Sequence, residues 1–179
     1  AAKAAPGKLN YSSAGPSNTS HLAVEYFNSV VGVKITHVPY KGSGPAVAGL
    51  LGREVDLMFD SLSSSLGQIQ AGRFRAIGVS TAKRSPVLPQ VPTIQESGVP
   101  GFDISAWYGI FAAAGTPATI VQRLNAEFIK AMAAPRAKEV IEAAGYQIVG
   151  STPAQLDAHV KAEMARWARV VKDSGAKIE

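Results

Sequence analysis

The short run from Leu9 to Ser13 predicts a strand. Apolar residues then recur at three- and four-residue spacing at Leu22, Ala23, Tyr26, Phe27 and Val30, which predicts an amphipathic helix stopped by Gly32. The polar turn Ala14-Gly15-Pro16-Ser17-Asn18 separates the two. The same rhythm then repeats. Val33 to Val38 is a second strand, closed by Pro39-Tyr40-Lys41-Gly42-Ser43-Gly44. Pro45 suits a first helical position, with Val47, Leu50 and Leu51 as the buried stripe. Asp56 to Phe59 is a third strand, and Asp60-Ser61 can cap a helix carrying Leu62, Leu66 and Ile69 that ends at Gly72. Phe74 to Ser80 is a fourth. Strands joined by helical segments in this way predict βαβ units around a parallel sheet, an α/β fold.

The rhythm breaks after Ser80. Residues 81–101 hold Pro86, Pro89, Pro92 and Pro100, as a crossover between lobes would, with a short capping box at Thr93-Ile94-Gln95-Glu96. Phe102 to Ala112 is expected to be extended. It is aromatic, and Trp107 and Tyr108 are assigned to core or inter-lobe packing. A helix with Ile120, Val121, Leu124, Phe128 and Met132 follows Gly115-Thr116-Pro117, and Pro135 opens another that ends at Gly145. Tyr146 to Val149 is a short strand. Thr152-Pro153-Ala154-Gln155 is a second capping box, leading a helix with Leu156, Val160, Met164, Trp167 and Val171. The division is therefore 1–80, 81–101 and 102–179.

Composition narrows the chemistry. With 179 residues, 46% hydrophobic and 17% charged, the chain can fill one domain or one and a half lobes of a two-lobed protein. The apolar stretch Val121 to Ala134 is broken by Gln122, Arg123, Asn125, Glu127 and Lys130, so it falls short of a membrane span. Cysteine is absent, which excludes disulfides, thiolate metal sites and cysteine nucleophiles. The opening Ala1 to Lys8 reads as a helix tail running into a turn, as in a mature or truncated product. The net charge of +5 is spread from Lys3 to Lys177 without a basic stripe, which argues against nucleic acid as a partner.

Ligands of open parallel sheets bind beyond the carboxyl ends of the strands. Here that places Ala14 to His21, Tyr40 to Gly44 and Phe59 to Ser65 together, each rich in small polar residues and each leading into a helix. Helix amino termini present unpaired N–H groups and partial positive charge, which suits a carboxylate or phosphate. The first loop is the strongest candidate, because Ser17, Asn18, Thr19 and Ser20 add four side-chain donors in a row; plain N-capping is the competing explanation. His21 at the helix start, Tyr40, Lys41 and Asp60 are further candidates, with capping or solvation as the alternative for each. No Gly-x-Ser-x-Gly elbow, phosphate loop or dinucleotide fingerprint is present, and the histidines 21, 37 and 159 lie far apart in sequence. A Ser17, His21 and Asp60 triad is conceivable but has no support from spacing. No metal site or cofactor is expected.

The same residues carry a family resemblance. Leu9-Asn10-Tyr11-Ser12-Ser13-Ala14-Gly15, Thr19-Ser20-His21-Leu22-Ala23 and His37-Val38-Pro39-Tyr40-Lys41-Gly42-Ser43-Gly44-Pro45-Ala46 resemble the Bug receptors of tripartite tricarboxylate transporters. So do Val55-Asp56-Leu57-Met58-Phe59-Asp60, Ala82-Lys83-Arg84-Ser85-Pro86, Leu88-Pro89-Gln90-Val91-Pro92-Thr93, Ala114-Gly115-Thr116-Pro117 and Gly150-Ser151-Thr152-Pro153. The resemblance runs through essentially the whole chain. It implies a type II periplasmic binding-protein fold, with two α/β lobes around a cleft and no catalysis. The implied ligand is a dicarboxylate, tricarboxylate, acidic amino acid or aromatic acid, delivered to membrane permease subunits. A sensor of the same fold feeding a signalling protein is the alternative. The implied contacts lie in Ser13, Ala14, Gly15, Ser17, Asn18, Thr19, Ser20 and His21, with Tyr40, Lys41 and Asp60.

Two departures stand out. The family commonly has a glycine where this chain has Ser17. Its members also carry a long segment before the stretch matching Leu9, with most of the first lobe. Residues 1–80 are then the second lobe, and 102–179 are returning first-lobe elements. A first lobe left incomplete should expose apolar faces and promote self-association.

Overall fold

A computed structural model describes residues 1–175 of the chain. Strand β1 (Asn10–Ser13) is the centre of a three-stranded parallel sheet, flanked by β2 (Thr36–Pro39) and β3 (Leu57–Met58) in the order β2-β1-β3. Its register aligns Tyr11 with His37 and Leu57, and Ser12 with Val38 and Met58. Helix α1 (Thr19–Val31) crosses from β1 to β2, and α2 (Ser43–Leu51) crosses from β2 over β1 to β3. The two crossovers run in opposite directions along the sheet, so their common right-handedness puts α1 and α2 on opposite faces.

The side chains of β1 record that division. Tyr11 is fully buried against Val24 and Ile35 and donates its hydroxyl to Glu25 of α1, while the hydroxyl of Ser12, one residue on, donates to the Ala46 carbonyl of α2. Strand alternation alone sends successive residues to opposite faces. Leu9, Phe27, Val33, Leu57 and Phe59 close the core around Tyr11. Gly32 ends α1 in the left-handed conformation, as its sequence position suggested.

Helix α3 (Leu62–Gln70) follows β3, and its Leu66 packs with Leu88 and Val91. Residues 81–101 are therefore not a free crossover: two of their apolar side chains are core. Phe102 packs on α1 instead, stacked with Tyr26 and edge-on to Phe27, and Ile104 exchanges hydrogen bonds with Ser80. The chain divides into one compact unit of 1–106 with 168–175, and another of 107–167. The second holds α4 (Ala118–Met132), α5 (Pro135–Ala143) and most of α6 (Pro153–Ser174).

Several expected elements take other forms. Phe74 to Ser80 shows alternating exposure, as a strand should, but only Val79 pairs, through an isolated bridge to Thr93. Alternation marks which side faces the core; a strand also needs a neighbour to accept its ladder, and none runs beside 74–78. Tyr146 to Val149 likewise forms no ladder among the described residues. Pro45 is third in α2, not first, because Gly42 at φ 106° caps the helix earlier. Tyr108 is not core: it is 75% exposed, edge-on to Tyr146, and Trp107 is half-buried, edge-on to His159. Both capping boxes form reciprocally. The Thr93 amide donates to Glu96 and the Glu96 amide to Thr93, and Thr152 and Gln155 repeat the exchange.

Candidate functional site

The order β2-β1-β3 puts the topological switch, where open sheets bind ligands, between β1 and β3, and the loop after β1 borders it beside the loop after β2. Main-chain bonds tie them together: the Tyr40 amide donates to the Ser13 carbonyl at 3.1 Å and the Gly42 amide to the Ala14 carbonyl at 3.0 Å. Gly15 is buried with φ 134°, a conformation that calls for glycine, and a Cβ there would stand in ordinary contact, 3.4 Å from the Tyr40 carbonyl oxygen.

Ser17 has φ 60°, a left-handed conformation that is costly for any residue with a Cβ. The family resemblance expects glycine here, and the backbone angle explains why. The Ser17 hydroxyl is buried and has no hydrogen-bond partner in the structure. Its neighbours are engaged. The Asn18 side-chain oxygen caps α1 by accepting the Ser20 amide at 3.1 Å, and the Ser20 hydroxyl accepts the Ala14 amide at 3.1 Å. Asn18 thus follows the capping explanation, while Ser17 is left with a free oxygen beside the amino terminus of α1. Thr19 opens that helix, partly exposed.

The histidines 21 and 37, distant in sequence, are stacked with ring centres 4.1 Å apart, and Tyr11 stacks on the other side of His37 at 4.9 Å. Sequence reasoning missed this. The available signal was the register: Tyr11 pairs with His37, and in parallel pairing the two share a face, the one that α1 covers. The His21 Nδ1 accepts the Ser17 amide at 3.2 Å, and the His37 Nε2 lies 2.6 Å from the Ser13 hydroxyl. Burial pushes the His37 ring down to about 4, and a positive charge on His21 would push it the same way. Burial lowers His21 too, partly offset by Glu25. Burial, and then the bond to Glu25, raises the Tyr11 phenol well above its ordinary range.

None of this forms a catalytic relay. Ser13 stands at hydrogen-bonding distance from an imidazole, but its hydroxyl is also engaged with both the amide and the carbonyl of Gly15, so it is not free to act as a nucleophile. Ser17 meets His21 through its amide, not its hydroxyl, and Asp60 is held by the hydroxyls of Ser64 and Ser65 in the first turn of α3. The Tyr40 hydroxyl turns away to Glu54 at 2.7 Å, across the bare surface of Gly49. Lys41 is exposed. Among the described residues no cluster of His, Asp or Glu could hold a metal ion, and no helix is long and apolar enough to cross a membrane.

A shallow recess of about 510 Å³ lies at the other end of α1, lined by Glu25, Asn28, Lys34 and Thr36 among others. A helix carboxyl terminus with an adjacent carboxylate repels anions. The loop edge, where α1 begins, has the opposite polarity.

Comparison with known proteins supplies the family. The family model of the tripartite tricarboxylate transporter family receptor matches residues 1–176. A Pseudomonas sp. (strain P51) relative, "UPF0065 protein in tcbD-tcbE intergenic region", is 44% identical over 96% of this chain and 51% of its own length. An R. palustris protein solved with adipate superposes with TM-score 0.91 at 37% identity, over 99% of this chain and 60% of that one. The periplasmic binding protein BugD gives 0.88 at 34%, over 99% and 60%. MatC from Rhodopseudomonas palustris, with bound malate, gives 0.81 at 34%, over 91% and 56%. The chain thus spans about half the length of that curated relative and under two thirds of these structures.

Proposed function

The chain belongs to the tripartite tricarboxylate transporter receptor family, and from that premise we propose that it forms part of a solute receptor for a small carboxylate. In this reading it works in the periplasm, performs no catalysis, and delivers its ligand to membrane permease subunits. The observation that carries the carboxylate is Ser17: a buried, unbonded hydroxyl, held in a strained conformation, at the positive end of α1. A buried hydroxyl without a partner is costly, and an anion at the loop edge would supply one. The relatives solved with adipate and with malate support an acid of two carboxylates.

The contact set is then the loop from Ser13 to His21, with hydroxyls of Ser17 and Thr19 and main-chain amides facing the anion. Tyr40 contributes through its main chain, since its hydroxyl is engaged by Glu54. Lys41 adds long-range attraction, and Asp60 orders the third loop through Ser64 and Ser65. Residues 1–106 with 168–175 correspond to the second lobe, the 81–101 segment packed on it, and 107–167 to elements returning to the other. The test is a thermal-shift screen of mono-, di- and tricarboxylates. A dicarboxylate at 100 times its Kd should add about 2.7 kcal/mol of apparent stability. A screen in which no carboxylate shifts the midpoint, while another solute class does, overturns the assignment.

A further inference from the structure

We propose that His21 is a positioning residue for the anion loop: its neutral ring clamps Ser17 in the left-handed conformation, and protonation opens the clamp. The proposal rests on the carboxylate reading for its functional consequence and on geometry alone for the clamp. A backbone amide can only donate, so the 3.2 Å bond from the Ser17 amide fixes Nδ1 of His21 as an unprotonated acceptor and leaves the proton on Nε2. The bond spans one helical turn and ties the strained residue to the first turn of α1. Protonating Nδ1 would set two donors against each other at that distance, and the left-handed backbone of Ser17 would lose the contact that holds it.

The surroundings tune the clamp. From β2, the His37 ring lies flat against His21 at 4.1 Å, so both rings cannot carry charge cheaply. From β1, the Tyr11 phenol backs His37 and holds the Glu25 carboxylate, which sits one turn along α1 and favours charge on His21. Burial opposes that charge and is the larger influence. The clamp is therefore closed at neutral pH and opens on acidification, and carboxylate capture weakens with it.

Two substitutions separate positioning from structure. In His21→Asn the side-chain oxygen takes the place of Nδ1 and cannot titrate, whereas His21→Leu removes the acceptor. NMR on the 179-residue chain reads the clamp directly. The wild-type ring should show the Nε2–H tautomer, and the Ser17 amide should resist exchange at about pH 7.5 and lose about tenfold in protection, the size of one lost hydrogen bond, as the ring protonates. His21→Leu should lack that protection at every pH, and His21→Asn should keep it as the pH falls. Calorimetric titration with adipate reads the consequence. His21→Asn should recover most of the roughly tenfold loss caused by His21→Leu, and should show only the ligand's own pH dependence. Wild type, by comparison, should weaken further between about pH 7.5 and about pH 4.5. A Ser17 amide whose protection ignores the His21 charge overturns the clamp. A clamp confirmed by NMR with no adipate binding removes the ligand assignment instead, and leaves the clamp standing.

Discussion

Replacing Ser17 by glycine should raise stability and lower affinity at once, and that opposition of signs is the sharpest test of the loop. Ser17 holds φ 60° with a Cβ in place, a conformation that costs an L-residue about 1–2 kcal/mol and costs glycine almost nothing. Glycine's extra freedom in the unfolded chain returns about 0.5–1 kcal/mol of that gain. Removing the buried, unbonded hydroxyl adds a favourable contribution of about 1 kcal/mol or more. The net expectation is a ligand-free protein more stable by about 1–2.5 kcal/mol, measured by urea denaturation at neutral pH. Affinity moves the other way, because a hydrogen bond to a carboxylate is worth about 1.5–3 kcal/mol, or roughly 10- to 100-fold in Kd. Calorimetric titration with the dicarboxylate selected by thermal shift measures it. A variant that gains stability with unchanged Kd would show that the hydroxyl is strain without purpose. One that loses stability would show that the left-handed backbone is not strained.

Further outcomes follow from the same geometry. Replacing Ser17, Asn18 and Thr19 together with alanine should abolish most measurable affinity; it should cost about 1 kcal/mol of stability through the lost Asn18 cap, and an affinity change below about tenfold would place the site elsewhere. Gly49→Ala should displace the Tyr40 ring from Glu54, because a Cβ there runs into it; the helix-propensity gain of about 0.5–1 kcal/mol offsets the lost bond, so urea denaturation should show a change below about 1 kcal/mol. His37 binds a proton less readily folded, at about 4, than unfolded, at the ordinary 6.5. Its contribution is thus complete above about pH 6.5 and lost as pH falls toward about 4. Solvent screening of a half-buried ring limits the loss to about 1–2 kcal/mol, and His37→Gln should flatten the urea midpoint across that window. The 179-residue chain exposes Tyr108, Ile110, Phe111 and Met164, and light scattering should find it self-associating; a monomer at high concentration would contradict that.

The βαβ rhythm was legible because it is local. Gly32 stops α1, Asn18 caps it, and both capping boxes form where their spacing places them. The failures are properties of pairs. Phe74 to Ser80 carries the alternation of a strand but has no partner along 74–78, and partnership is not written in the segment itself. Leu88 and Val91, between the prolines at 86, 89 and 92 of the expected crossover, reach Leu66, because prolines fix turns without deciding what the turns bury. The candidate loop was visible through its composition and its strand-end position. The stacked histidines were not, since His37 lies 16 positions after His21 and only the sheet register brings the rings together.

The main-chain bonds between the first two loops divide labour between backbone and side chain. The Tyr40 and Gly42 amides hold Ser13 and Ala14 by their carbonyls, and these bonds do not depend on which side chains line the rim. Substitutions at positions 16, 17 and 19 can therefore change what the rim recognises while the frame that carries it stays fixed. On the proposed reading, a scaffold of this kind would let descendants exchange one solute for another in single steps, without passing through a sequence that fails to fold.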